Sequence, residues 1–358
     1  MIARWRRRSI AAVWLCLALT GAAWGASEPC GPFGDPPARF IKSIIPKCTN
    51  GVRLGPWSDA GGAPRYACLY EPPRSSASKP LPLVVYLHPS LFTADSVRNA
   101  TNLLDLLATA NVSDDPARPG FILLAPQGRD TTHQYSWPDR TGSGWDVWYR
   151  QLSPAGAVKI GGRDYPENAD AAAIDHFIDT VVASGKVDRG RIYLTGWSNG
   201  GSMAYLYGLN RPQIASAAVY SAPDPFELAP DACPQTPVAK PPSSDREVRV
   251  YNPALAVYQV HNSCDIDGIC PNVLRFEGDL SRIGASVSDT IIDRKGHVTR
   301  DCEAFCGTDP NGGLHNPIGA MIGLERHLRW PRPWTAAMLD YFRRHPLKTA
   351  APPRAHGK

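Results

Sequence analysis

Strand-length runs of uninterrupted apolar residues recur along this chain with helical segments between them, and that alternation leaves few architectures open. LPLVVYLH at 81–88, FILLAPQG at 121–128, RIYLTG at 191–196, AAVYSA at 217–222 and ALAVYQVH at 254–261 are such runs. They lack the polar alternation of a half-solvated strand, so both faces must be covered. ADAAAIDHFIDTVVAS at 169–184 puts Ile174, Phe177, Ile178 and Val181 on one helical face. Helices are also predicted from Asp95 to Ala110, over 199–210 and over 334–345, and YACLYE at 66–71 reads as an edge strand. Repeated strand–helix–strand units predict right-handed crossovers and a mainly parallel α/β sheet with helices on both faces. Chemistry in such sheets gathers beyond the strand carboxyl ends.

With 358 residues, 43% of them hydrophobic, the chain can bury the core of one large domain, expected over 66–345. Residues 1–25 read as a secretory signal. Arg4, Arg6, Arg7 and Arg8 precede the apolar SIAAVWLCLALTGAA, and Ala23-Trp24-Gly25 offers small residues before a cut near Ala26. Residues 26–65 read as a Cys-containing N-terminal extension and 346–358 as a flexible tail. Without 1–25, 34 Lys+Arg face 33 Asp+Glu, a net charge of +1 in place of +5. That balance provides no basic face for nucleic acid. An exported chain, extracellular or periplasmic, with no stable membrane insertion after cleavage is therefore expected.

The cysteines agree with export. Cys16 leaves with the signal, and the eight others are an even set suited to an oxidising compartment. The pairs expected are Cys264–Cys270 and Cys302–Cys306, because each would fasten a Gly/Asp-rich loop. The cysteine spacings lack paired CxxC knuckles for zinc, and Asp265-Ile-Asp-Gly supplies too few oxygens for calcium. No metal or other cofactor is read from the sequence.

The sharpest motif is Gly196-Trp197-Ser198-Asn199-Gly200, between a strand and a helical segment. This context is that of a nucleophile elbow, with Ser198 lifted above the sheet and the Asn199 N–H aimed at a developing oxyanion. A second donor should follow the strand ending at His88; Pro89 has no N–H, so Ser90 is the first choice and Leu91 the second. His88 itself reads as support for that loop. A serine needs a base and an acid behind it. The expected base is His315, in the loop Asp309-Pro-Asn-Gly-Gly-Leu-His315, with His327 in the charged stretch GLERHLR a weaker competitor. The expected acid is Asp265, just beyond a strand, ahead of Asp267, Asp289 and Asp293. Residues 129–168 form a long aromatic insertion in which Trp145, Trp148 and Tyr149 are either substrate contacts or rings that bury the insertion itself. Trp197 belongs either to the cleft or to the packing of the elbow.

These motifs resemble the secreted esterase family of the α/β-hydrolase fold that includes poly(3-hydroxybutyrate) depolymerases and feruloyl or acetylxylan esterases. The resemblance covers about 66–345 and is most specific over Val187–Gly201; Val260–Asp265 and Gly312-Gly313-Leu314-His315 also look like family positions. It implies a triad of Ser198, Asp265 and His315. Pro89 stands where the family usually has glycine, Cys264 directly precedes the acid, and Asn316-Pro317 stands where Trp-Pro is often found. The expected activity is hydrolysis of a carboxylic ester, poly(3-hydroxybutyrate) or its oligomers first, a feruloyl or acetylxylan ester second. A serine peptidase or amidase, and a non-catalytic polymer-binding protein, are the rival readings. Oligomeric state is not legible.

Overall fold

The computed structural model describes residues 44–59, 62–73, 75–128, 143–145, 158–160, 163–165, 168–225, 252–268, 270–303, 306 and 317–347. The strands are β1 (Val52–Ser58), β2 (Pro64–Tyr70), β3 (Leu81–Leu87), β4 (Ile122–Pro126), β5 (Val158–Ile160), β6 (Arg163–Tyr165), β7 (Val187–Trp197), β8 (Ser216–Tyr220), β9 (Ala256–Asn262), β10 (Ser286–Ile292) and β11 (Val298–Thr299). The main sheet runs β1-β2-β4-β3-β7-β8-β9-β10-β11, and β5 and β6 form a separate pair. The six strands from β4 to β10 in that order are mutually parallel, and the sheet edges are antiparallel. Every residue of β3, β4, β8 and β9 is buried, as their unbroken apolar runs predict. The mainly parallel α/β sheet of an α/β hydrolase is thus present.

Chain order reverses between β3 and β7. From β3 the next parallel strand, β4, lies on one side, while β7 and its successors run off on the other. The crevice beyond the carboxyl ends of β3 and β7 is therefore the switch point, flanked by His88 and Ser198. Helices cover both faces. One core layer gathers side chains of α1 (Ala169–Ala183), α2 (Asn199–Gly208) and α3 (Cys270–Arg282). The opposite layer packs Met338, Leu339, Tyr341 and Phe342 of α5 (Thr335–Arg344) against Tyr193 and Tyr258. Between them in sequence lies α4 (Pro317–His327).

Three expectations need correction. The sheet begins inside the 26–65 stretch, because β1 pairs with β2 and the Cys48–Cys68 disulfide ties the preceding segment to β2. The helix expected from Asp95 to Ala110 is two single turns, Ser96–Asn99 and Leu103–Leu106. Thr101 divides them: its hydroxyl donates to the Val97 carbonyl at 2.5 Å and accepts from the Leu103 N–H at 3.2 Å, replacing backbone partners of a continuous helix. The disulfides are Cys264–Cys306 and Cys270–Cys302, not the short-range pairs. The two loops lie side by side instead of closing on themselves. The Glu303 N–H donates to the Ser263 carbonyl at 3.1 Å, and the Ser263 hydroxyl donates to the Glu303 carboxylate at 3.0 Å. Cys30 and Cys233 fall outside the described residues.

Candidate active site

Ser198 sits between β7 and α2 with φ 54° and ψ −126°, a left-handed conformation that costs free energy in a non-glycine residue. Glycines make the turn feasible. A Cβ at Gly200 would lie 2.1 Å from the Leu87 carbonyl oxygen, and one at Gly196 2.3 Å from that of Gly200. The first turn of α2 thus packs directly onto the end of β3. The Ser198 N–H donates to the Tyr220 carbonyl at 3.0 Å, fixing the elbow to β8.

The imidazole that meets Ser198 belongs to His327. Its Nε2 lies 2.9 Å from Ser198 Oγ, and its Nδ1 lies 2.8 Å from Asp265 Oδ1. All three residues are buried. Asp265 also accepts from the Ser221 hydroxyl at 2.6 Å, the Asn262 amide at 3.0 Å and the N–H groups of Asp267 and Gly268 at 3.1 and 3.2 Å. With Asp265 accepting throughout, Nδ1 carries the imidazole hydrogen and Nε2 faces the serine hydroxyl as an acceptor. Burial pushes the Asp265 carboxyl up, but His327, Ser221 and Asn262 outweigh it and hold it below the ordinary value. Burial pulls His327 down, and Asp265 with Asp267 outweighs that and raises it.

His327 reaches the site because α4 approaches closely. Gly319, Gly323 and His327 are four apart and buried on one stripe. A Cβ at Gly319 would lie 2.6 Å from the Cys306 carbonyl oxygen, and one at Gly323 3.2 Å from the Asp265 carbonyl carbon. At the helix end, Trp197 Nε1 donates to the His327 carbonyl at 2.8 Å and the Tyr220 hydroxyl to that of Arg326 at 2.7 Å. The His327 carbonyl, which the helix end leaves without a backbone donor, is thereby satisfied, and that of Arg326 gains a second donor beside the Arg329 N–H.

Asp267 Oδ2 lies 3.1 Å from Ser198 Oγ, so the hydroxyl has a second acceptor besides His327. Burial, joined by the charge of Asp265, raises the Asp267 pKa against the opposing pull of His327.

Opposite the elbow, the His88 ring is buried and its Nε2 accepts from the Gly128 N–H at 2.9 Å. That fixes the hydrogen on Nδ1, which donates to the Pro89 carbonyl at 2.9 Å. Burial lowers the His88 pKa to about 4, so the ring is neutral. In a trans peptide the N–H points away from the carbonyl, so holding the Pro89 oxygen also orients the Ser90 N–H. The Leu91 N–H donates to the Ser143 carbonyl at 2.7 Å.

The family described as Esterase PHB depolymerase matches residues 65–287. The chain belongs to that family. It is accordingly a carboxylic-ester hydrolase of the α/β-hydrolase type. No curated protein matches the chain. Among solved structures, a ferulic acid esterase is 15% identical, with a TM-score of 0.44 over 68% of this chain and 89% of its own. The Bacillus cereus carboxylesterase is 13% identical, with a TM-score of 0.40 over 66% and 88%. An acetyl xylan esterase from Aspergillus awamori is 17% identical, with a TM-score of 0.41 over 61% and 74%.

Of the residues singled out in the esterase sequence, Ser198 and Asp265 are brought together through one imidazole. The place expected for His315 is taken by His327, the lesser candidate; His315 lies outside the described residues, as do Trp148 and Tyr149. Trp145 is fully buried and so presents no platform to substrate. Its N–H donates to the Asn199 side-chain oxygen at 2.7 Å, its carbonyl accepts from the Asn199 amide at 3.2 Å, and its indole N–H donates to the His88 carbonyl at 2.8 Å. It pins the elbow to the loop after β3. Trp197 is buried as well and holds His327, the second of its two expected places.

Proposed function

We propose that this esterase works by a serine acyl-enzyme mechanism, a reading carried by the hydrogen-bonded chain from Ser198 through His327 to Asp265. Ser198 Oγ attacks the ester carbonyl while His327 Nε2 takes its proton, and Asp265 holds the imidazole oriented and stabilises it when charged. His327 then protonates the departing alkoxide. Water, deprotonated by the same imidazole, attacks the acyl-enzyme and releases the acid with Ser198 restored. The Asn199 N–H, at the start of α2 where no helical acceptor exists, and the Ser90 N–H are the proposed oxyanion donors.

The proposed substrate is poly(3-hydroxybutyrate) or its oligomers, outside the cell or in the periplasm. The family description supports it, and so does the face of the helix carrying His327. Ile318, Met321 and Leu324 on α4, with Leu328 just beyond it, are exposed apolar side chains on the helix that supplies His327. A hydrophobic polyester chain suits such a surface better than a polysaccharide does. The described disulfides fit an oxidising compartment, and among the described residues no helix is long and apolar enough to cross a membrane. Purified protein compared on poly(3-hydroxybutyrate), its soluble oligomers, methyl ferulate, acetylated xylan and matched peptide amides tests the proposal. Release of hydroxybutyrate units supports it. Ferulate or acetate release without hydroxybutyrate replaces the substrate, and peptide cleavage alone rejects the class.

A further inference from the structure

His261 is fully buried near the end of β9, yet neither ring nitrogen has a hydrogen-bond partner. The backbone of the adjoining Asn262 raises its pKa as a hydrogen-bonding neighbour does, but does not meet hydrogen-bond geometry with either nitrogen. A buried polar group left without a partner costs stability unless something pairs with it. The strand register shows what it faces. On β9, Val257, Gln259 and His261 share one face, and β10 pairs Asp289 with Gln259 and Ile291 with His261. Asp289 is therefore the diagonal neighbour of His261 on that face. The helix packed there is α3, whose Phe276 meets Tyr205 of the same core layer, and its Glu277 completes the group. One ligand atom from each of His261, Glu277 and Asp289 lies within 4.8 Å of the others. Glu277 is also buried, and its Oε1 likewise lacks a partner.

We infer that His261, Glu277 and Asp289 form a binding site for a first-row divalent cation, with water completing the shell. One neutral imidazole and two carboxylates make a nitrogen–oxygen set suited to zinc, cobalt or manganese, and their two negative charges balance the ion. Calcium needs about six to eight oxygens, which three side chains do not supply. Zinc bonds of about 2.0–2.2 Å place tetrahedral ligand atoms about 3.4 Å apart, so rotations of the two carboxylates close the shell. Asp289 is exposed and gives the ion its way in from solvent. Burial pushes Glu277 up to about 8, helped by the charge of Asp289. Burial lowers His261 to about 4, so the ring is neutral and one of its two nitrogens has a lone pair free for a metal. The neighbouring hydroxyl of Tyr205 is occupied by Gln259. The site spans β9, β10 and α3 at the foot of the loop that carries Asp265, so its role is to stiffen that support. It takes no part in the chemistry.

The test uses the full chain treated with chelator, its disulfides intact and remaining thiols alkylated so that none competes. Zinc is titrated by calorimetry and by thermal unfolding, and cobalt by its visible absorption. The expected result is one equivalent of zinc bound with a rise in Tm. Affinity should fall about a hundredfold or more in Glu277→Gln and Asp289→Asn, while His297→Ala, an exposed control, binds normally. Asp289→Asn, at an exposed position, carries the test if Glu277→Gln does not fold. Undiminished binding in both variants, or no zinc or cobalt bound by the wild type, overturns the inference.

Discussion

His327 and His261 are both buried, and both lie close to the loop bearing Asp265, but they meet opposite surroundings. Each nitrogen of His327 has a partner, a carboxylate on one side and a hydroxyl on the other. His261 has neither, although two carboxylates stand within 4.8 Å. Burial alone lowers the pKa of an imidazole. It does so unopposed enough at His261 to reach about 4, whereas at His327 Asp265 reverses the sign. Burial therefore does not tell what a histidine is for. The partners do, and they separate a group poised to move a proton from one shaped to hold an ion.

Breaking the first half of the contrast gives the largest effects. Ser198→Ala should cut turnover of a soluble ester by about 10⁶-fold, as for a serine removed from a comparable triad. It should also abolish labelling by an organophosphonate, while circular dichroism and Tm stay near wild type. Asp265→Asn should cost about 10⁴-fold in kcat, because an amide offers its N–H where Nδ1–H needs an acceptor.

The acidic limb of kcat/KM sharpens the same point. His327 must be neutral to accept the Ser198 proton, so activity should fall as pH drops through its raised pKa, above the ordinary 6.5. In Asp265→Asn that limb should move to lower pH, since burial is then opposed only by Asp267. The linked stability has the opposite course. A raised folded-state pKa contributes stability that is full below the unfolded value and lost as pH rises through the folded one.

Smaller effects probe how His327 is held. Trp197→Phe keeps an aromatic side chain, though a smaller one, and removes the donor to the His327 carbonyl. It should lower kcat about fivefold, the equivalent of a hydrogen bond worth ~1 kcal/mol, with KM little changed. Leu324→Glu, on the exposed face of α4, should slow hydrolysis of the polymer a few-fold and leave soluble oligomers unaffected; equal loss on both would remove that face from substrate binding.

What could be read from the chain beforehand follows from how local each feature is. The sheet, its buried strands and the Ser198 elbow are written in contiguous residues, as strand runs and a glycine-flanked serine. His327 depends on a helix coming within contact of the Asp265 loop. Its signal is Gly319, Gly323 and His327 at four-residue spacing, masked by the charges of Glu325, Arg326 and Arg329 at neighbouring positions of the same stretch. The crossed disulfides and the group of His261, Glu277 and Asp289 had no local signal. The first arises from two loops lying alongside each other, the second from the register of β9 against β10. For Trp145 the sequence leaves contact and burial equally open, because an aromatic-rich insertion shows its rings but not which of them serve as struts.

The central claim is that His327 is the imidazole acting on Ser198, and replacing the two candidate histidines separately tests it most directly. Pre-steady-state acylation and steady-state turnover of one soluble ester would be measured for His327→Ala and His315→Ala, with folding checked by Tm. The geometry predicts that His327→Ala loses at least about 10⁴-fold in both, while His315→Ala still acylates and turns over within about tenfold of wild type. Near-complete loss in His315→Ala, with His327→Ala retaining activity, would contradict it.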